Sequence, residues 1–174
     1  NAVQLEQVFT NPYLPLLNRA TQGQYAPGSI FKVVTMSSAL ESGLFNTQQI
    51  YYCGHTWSGL GAAYIKYDWT NEKGYPPSGD LNIVGALRRS CNPWFYQIGL
   101  SLHSWADYFL PDMARGFGLG APTGIIGLQQ DINEEVGGVL PSAEWAAAAG
   151  VLWTPANTVH MAIGQGEIAV TPLQ

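Results

Sequence analysis

The chain has 174 residues, 47% of them hydrophobic and only 11% charged, with a formal charge of −5. That length and composition suit one domain with a sizeable core and exclude a disordered segment, while ordinary soluble domains carry roughly 25% charged residues. Seven basic against twelve acidic residues, with no basic cluster, exclude a nucleic-acid binder.

In chain order, residues 1–25 mix apolar and polar side chains with Pro12 and Pro15, and read as strand or loop leading into a turn at Pro27-Gly28. The segment 29–44 carries Ile30, Phe31, Val33, Val34, Met36, Ala39 and Leu40 at helical spacing and closes on Gly43, which predicts a helix. Residues 53–77, rich in Gly, Trp and Tyr, have no helical period and read as an irregular excursion with short strands. Ser78 or Asp80 can cap a second helix through Leu87. Pro93 disfavours helical geometry at Asn92 and suits the first turn of another helix, so Ser90-Cys91-Asn92 lies on a bend between helices. A helix is expected over 104–113, ended or kinked near Pro111, then a glycine-rich loop over 116–124. Ser142 caps a helix over 143–151, and Thr154-Pro155 starts one that runs to Ile163. Thr171-Pro172-Leu173-Gln174 has an N-cap threonine, proline at the first helical position and glutamine three residues on. It is a helix start without its helix, so the chain is expected to be a piece of a longer fold, and the low charge agrees because a fragment keeps surface meant for burial.

The longest apolar stretch, 145–153, is about half of what spans a bilayer, and the N-terminus lacks a charged head before an apolar core; an extracytoplasmic protein trimmed of its leader would look the same. Cys53 and Cys91 form no CxxC, and His55, His103 and His160 are scattered, so neither metal nor cofactor is expected. Two separate thiols are the default expectation for the cysteines, with a structural disulfide as the alternative.

Chemistry begins with Ser29 and Lys32. Positions i and i+3 share a helix face, so the Lys32 amine can reach the Ser29 hydroxyl and, if burial lowers its pKa, take the proton as Ser29 attacks a carbonyl. The Ser29 backbone N–H, at the helix start, can stabilise a developing oxyanion. With ten serines and three lysines, chance S-x-x-K matches number roughly 0.2, so the motif needs support. Ser90 and Asn92 supply it: Ser90 as a proton relay between Lys32 and the leaving group, the Asn92 amide holding Lys32 and a substrate carbonyl. The glycines at 116, 118 and 120 follow a helical segment and lack a following lysine, so they read as a turn instead of a phosphate loop. Cys91 has no histidine beside it and reads as packing.

Asn18-Arg19-Ala20, Gly23, Tyr25, Pro27-Gly28-Ser29 and Phe31-Lys32, then Ser90-Cys91-Asn92 with Phe95-Tyr96, then Gly164-Gln165-Gly166 and Val170-Thr171-Pro172-Leu173-Gln174 together resemble the transpeptidase domain of penicillin-binding proteins. Further segments are similar: Phe117-Gly118 through Pro122-Thr123-Gly124-Ile125, and Gly138 through Leu140-Pro141-Ser142 to Trp145. The resemblance implies an α+β, β-lactamase/transpeptidase-like fold, with residues 1–174 a partial transpeptidase domain holding mostly the helical subdomain and few strands. It implies acyl transfer on peptidoglycan stem peptides ending in D-alanyl-D-alanine, with β-lactam antibiotics acylating the same serine. Ser29 is then the nucleophile, Lys32 its base, and Ser90 and Asn92 the second motif. The third motif, Lys-Thr-Gly or Lys-Ser-Gly, is absent from the sequence; the missing C-terminal part of the domain becomes an expected partner, and the chain alone is expected to be inactive. An extracytoplasmic location, anchored by a segment outside this chain, also follows from the resemblance. Two rivals are a β-lactam sensor or β-lactamase, disfavoured because no Glu-x-x-Leu-Asn occurs and Glu134, Glu135 and Glu144 read as surface or capping groups, and a catalytically inactive structural module.

Overall fold

The computed structural model describes residues 2–125 and 134–174. At its centre is α6, Asn92–Ala106, fifteen residues long, which buries Trp94, Phe95, Tyr96, Ile98 and Leu102. Aromatic residues are weak helix formers, and it is burial of this face that makes the segment helical. The helix expected over 104–113 is divided differently: α6 runs on to Ala106, and α7, Phe109–Gly116, takes Pro111 into its first turn, where a missing N–H costs nothing. α9, Pro155–Met161, packs along α6. The approach is close at Gly99, where a Cβ would lie 2.8 Å from Ala162 Cβ and 3.1 Å from the Thr158 carbonyl oxygen.

α3, Lys32–Glu41, follows a 3-10 turn over Gly28–Phe31 and packs on α6 and α7, much as the 29–44 pattern predicts. Its Thr35 hydroxyl donates to the Ala162 carbonyl at 2.9 Å, which fastens α3 to the end of α9. The first 25 residues differ from expectation. They begin with helix α1, Ala2–Phe9, and include a helical turn, α2, Arg19–Gln22, whose N-terminus is capped by Asn18. Pro12 and Pro15 lie between the two and terminate α1 without making its residues extended.

Strands are short. β1, Tyr51–Cys53, pairs antiparallel with β4, Gly79–Leu81, and β2, Thr56–Trp57, with β3, Lys66–Tyr67. Between β3 and β4 comes one turn of helix, α4, Trp69–Glu72. α5, Ile83–Arg89, is capped by Asn82 instead of Ser78 or Asp80, because Asp80 is committed to β4. Ser142 caps α8, Ala143–Ala148, as expected, but the helix stops short of residue 151, the chain turning at Gly150 with φ +70°. Thr171 and Gln174 make the reciprocal bonds of a helix start, Gln174 N donating to Thr171 Oγ1 at 3.3 Å and Thr171 N to Gln174 Oε1 at 2.9 Å. The class is α+β, dominated by helix. Low charge has a visible counterpart: Ile30, Val33 and Phe117 stay exposed around an apolar cavity of about 370 Å³ that Val170 and Pro172 also line.

Candidate active site

Gly28 opens the 3-10 turn with φ +58°, and its N–H donates to the Gly164 carbonyl at 2.8 Å. Gly164 has φ +69°, and a Cβ there would come within 2.2 Å of the Gly28 oxygen and 2.8 Å of Phe31 Cβ. Only glycine lets these two loops touch, and their contact presents Ser29 at the surface. The Ser29 amide, in the first turn of the 3-10 segment, has no backbone partner among the described residues.

Lys32 begins α3 and is fully buried. Its Nζ donates to the Ser90 carbonyl at 2.8 Å, to Ser90 Oγ at 3.0 Å and to Asn92 Oδ1 at 2.7 Å. The Ser90 hydroxyl in turn donates to Ser29 Oγ at 2.8 Å. All four residues singled out from the sequence therefore meet, with one correction. The amine does not bond Ser29 directly among the described residues; Ser90 stands between them. Burial pushes the Lys32 amine down to about 8, against an opposing pull from the Asp68 carboxylate. Such an amine exchanges protons near neutrality.

Ser90 holds its place by an unusual backbone. It C-caps α5 with φ +54°, a conformation costing a non-glycine residue about 1–2 kcal/mol. The bend expected at Ser90-Cys91-Asn92 is thus a left-handed residue followed directly by the N-terminus of α6.

Two braces lie behind the tripeptide, one that the sequence offered only as the alternative and one that it did not single out. Cys91 is bonded to Cys53, at the end of β1, so the default of two separate thiols is corrected. Asp68 is the second brace, fully buried. Its Oδ1 accepts from the Asn92 backbone N–H at 2.8 Å, and its Oδ2 accepts from the Thr70 N–H at 3.2 Å and hydroxyl at 2.7 Å. One carboxylate thereby satisfies the exposed donors at the starts of both α4 and α6. The signal was an aspartate immediately before Trp69-Thr70-Asn71-Glu72, an N-cap position hidden in a stretch without helical period. Cys53, Asp68 and Cys91 bring potential metal ligands within 4.8 Å of one another; their sulfurs are bonded together and both carboxylate oxygens are taken, so the group works as a brace. Glu135, read as a surface or capping group, is buried, its carboxylate accepting from the Thr123 N–H at 2.6 Å.

Ser29, Ser90 and Asn92 share a cleft of about 280 Å³ with Trp69, Glu72, Ile163 and Gln165. An exposed serine hydroxyl, a buried amine tuned toward neutrality, a hydroxyl linking them and a helix-start amide are the kinds of group that acyl transfer through a serine ester uses.

The family model described as penicillin binding protein transpeptidase domain matches residues 2–174. The chain belongs to that family. Among relatives, it is 35% identical to the peptidoglycan D,D-transpeptidase MrdA of Salmonella typhimurium over 162 residues, covering 92% of this chain and 24% of that protein. It is 35% identical to the D,D-transpeptidase PbpA of Mycobacterium tuberculosis over 175 residues, covering 97% of this chain and 30% of the relative. The chain thus spans about a quarter to a third of the curated relatives it matches. Among solved structures, it superposes on penicillin-binding protein PBP2 of Helicobacter pylori, in complex with MreC, with a TM-score of 0.86 at 27% identity, over 100% of this chain and 30% of that one. It also superposes on the imipenem acyl-enzyme of penicillin-binding protein A from M. tuberculosis, TM-score 0.77 at 29% identity, over 99% of this chain and 35% of that one.

Proposed function

We propose that this chain carries the acylating half of a peptidoglycan D,D-transpeptidase site. The observation that carries the proposal is the relay from Lys32 Nζ through Ser90 Oγ to Ser29 Oγ, at 3.0 and 2.8 Å. In the productive state Lys32 is neutral. It accepts the Ser90 proton as Ser90 accepts that of Ser29, and Ser29 Oγ adds to the penultimate carbonyl of a stem peptide ending in D-alanyl-D-alanine. The Ser29 N–H receives the developing oxyanion. Collapse breaks the peptide bond, the same relay returns the proton to the departing D-alanine nitrogen, and the ester on Ser29 awaits an acceptor amine. Asn92 is oriented by Lys32 on its oxygen and by the Tyr67 carbonyl, 3.4 Å from its nitrogen, leaving its second N–H for substrate. A second oxyanion donor and the clamp for the substrate carboxylate belong, in this proposal, to a strand bearing the Lys-Thr-Gly type of motif outside residues 1–174. The same serine takes β-lactams.

An extracytoplasmic location is part of the proposal, and the Cys53–Cys91 bond supports it, since structural disulfides persist in oxidising compartments. The test is a labelled penicillin added to the complete protein containing these residues, with the adduct mapped by mass spectrometry. A long-lived adduct on Ser29, absent in Ser29→Ala, is expected. No adduct sinks the enzymatic proposal, and an adduct that hydrolyses within seconds replaces the transpeptidase by a β-lactamase.

A further inference from the structure

Ser29, Ser90 and Asn92 in the cleft are used in acyl-enzyme formation; Trp69, Glu72 and Gln165, which line the same cleft, are not. Trp69 and Glu72 are the first and last residues of α4, and both line this cleft. Among the described residues Glu72 is the one acidic or basic side chain on the lining, the Lys32 amine being fully buried. The carboxylate is exposed, with no hydrogen-bond or ion-pair partner among the described residues. Arg89 is stacked over the Trp69 ring at 5.8 Å, and neither it nor Lys73, the next residue in the chain, forms an ion pair with Glu72 among the described residues.

Its support is rigid. Asp68 caps the start of α4. The Trp69 indole N–H donates to the Arg89 carbonyl at 3.0 Å, and the ring meets Tyr75 edge-on at 5.9 Å. A carboxylate carried on that turn, with no ion-pair partner among the described residues, is the wrong charge for the donor peptide's terminal carboxylate and the right charge for an ammonium group. The second half of the reaction needs an amine in this space.

We infer that Glu72 forms the acceptor subsite, selecting a cationic primary amine and holding it beside the acyl ester on Ser29. The inference rests on the transpeptidase proposal above. The ammonium docks against Glu72 and releases one proton to solvent; the amine nitrogen then bonds to the ester carbonyl carbon. The bond from that carbon to Ser29 Oγ breaks, and the second amine proton passes to Ser29 Oγ through Ser90, which leaves an amide product and a free serine.

The test measures partition per acyl-enzyme in the complete protein. A thioester donor forms the acyl-enzyme, and aminolysis is compared with hydrolysis for glycinamide, largely an ammonium at pH 7, and hydroxylamine, largely neutral. Glu72→Gln is expected to lower glycinamide partition about two- to fivefold, the size of a solvent-accessible ion pair, with hydroxylamine unmoved. Glu72→Lys lowers it further, Glu72→Asp restores at least half, and high salt erodes the native preference. Unchanged glycinamide partition in Glu72→Gln overturns the inference, and so does an equal fall for both nucleophiles, which would mean that Glu72 only shapes the cleft. A native protein that forms no acyl-enzyme overturns the transpeptidase proposal and the inference with it, a result distinct from either of the others.

Discussion

Replacing Asp68 by asparagine removes the charge behind the site while keeping the shape of the side chain. In the native protein the Lys32 amine sits at about 8, lowered by burial and partly lifted back by Asp68. Because Lys32 must be neutral to draw the Ser29 proton, acylation by penicillin should rise tenfold per pH unit on the acid side and level off above about 8. At pH 7, one unit below, about one amine in ten is neutral. Asp68→Asn removes the lifting charge, so the midpoint moves toward lower pH and the rate at pH 7 rises, with a ceiling of about tenfold set by the neutral fraction. The amide keeps one oxygen where the carboxylate had two, so one of the two helix starts it serves loses its acceptor, which costs about 1–3 kcal/mol of stability. The assay is the pH profile of second-order acylation between pH 6 and 9.5. A second readout is the Tyr96 phenol, pushed up to about 12 by burial first and then by the charges of Asp68 and Glu72; its ultraviolet titration should move down in the variant. A kinetic midpoint that stays put, or moves to higher pH, refutes the claim that Asp68 acts on Lys32 through its charge.

Ser90→Ala removes the link between Lys32 and Ser29 and should slow acylation about 10²-fold, with penicillin binding before acylation changed far less, as stopped-flow traces would separate. Cys53→Ser opens the bond that closes a 38-residue separation; the chain-entropy estimate is a loss of about 4 kcal/mol, read from denaturant midpoints without added reductant. Gly164→Ala puts a methyl group into the Gly28 backbone at a positive φ, and should displace the Ser29 turn, cutting acylation and lowering the melting temperature together.

What the sequence could disclose was chemistry written locally. Ser29 with Lys32, and Ser90 with Asn92, are short patterns whose residue types announce a proton relay, and the structure joins them within hydrogen-bond distance. Even so, spacing on one helix suggested a direct Ser29–Lys32 bond. The 3-10 turn points the serine outward while the lysine runs inward, and a residue 58 positions along the chain fills the gap. Elements governed by distant partners were harder to see. α6 holds a run of aromatic residues that favours extended chain locally and is helical because α3, α7 and α9 bury it. Asp68 acts on a backbone amide 24 residues away, and Cys53 finds Cys91 through the pairing of β1 with β4; neither relation has a local signature. Asn82 took the cap because strand pairing had claimed the residues before it.

The tripeptide Ser90-Cys91-Asn92 is anchored at each residue, by Lys32, by Cys53 and by Asp68. Under the proposed activity, this limits how a bacterium could escape a β-lactam through this domain. A heritable change in any of the three loosens the machinery it would need to keep, so selection has little room there. Gln165 borders the same cleft while bracing none of it, and drug-resistant lineages should accumulate their substitutions on that part of the rim.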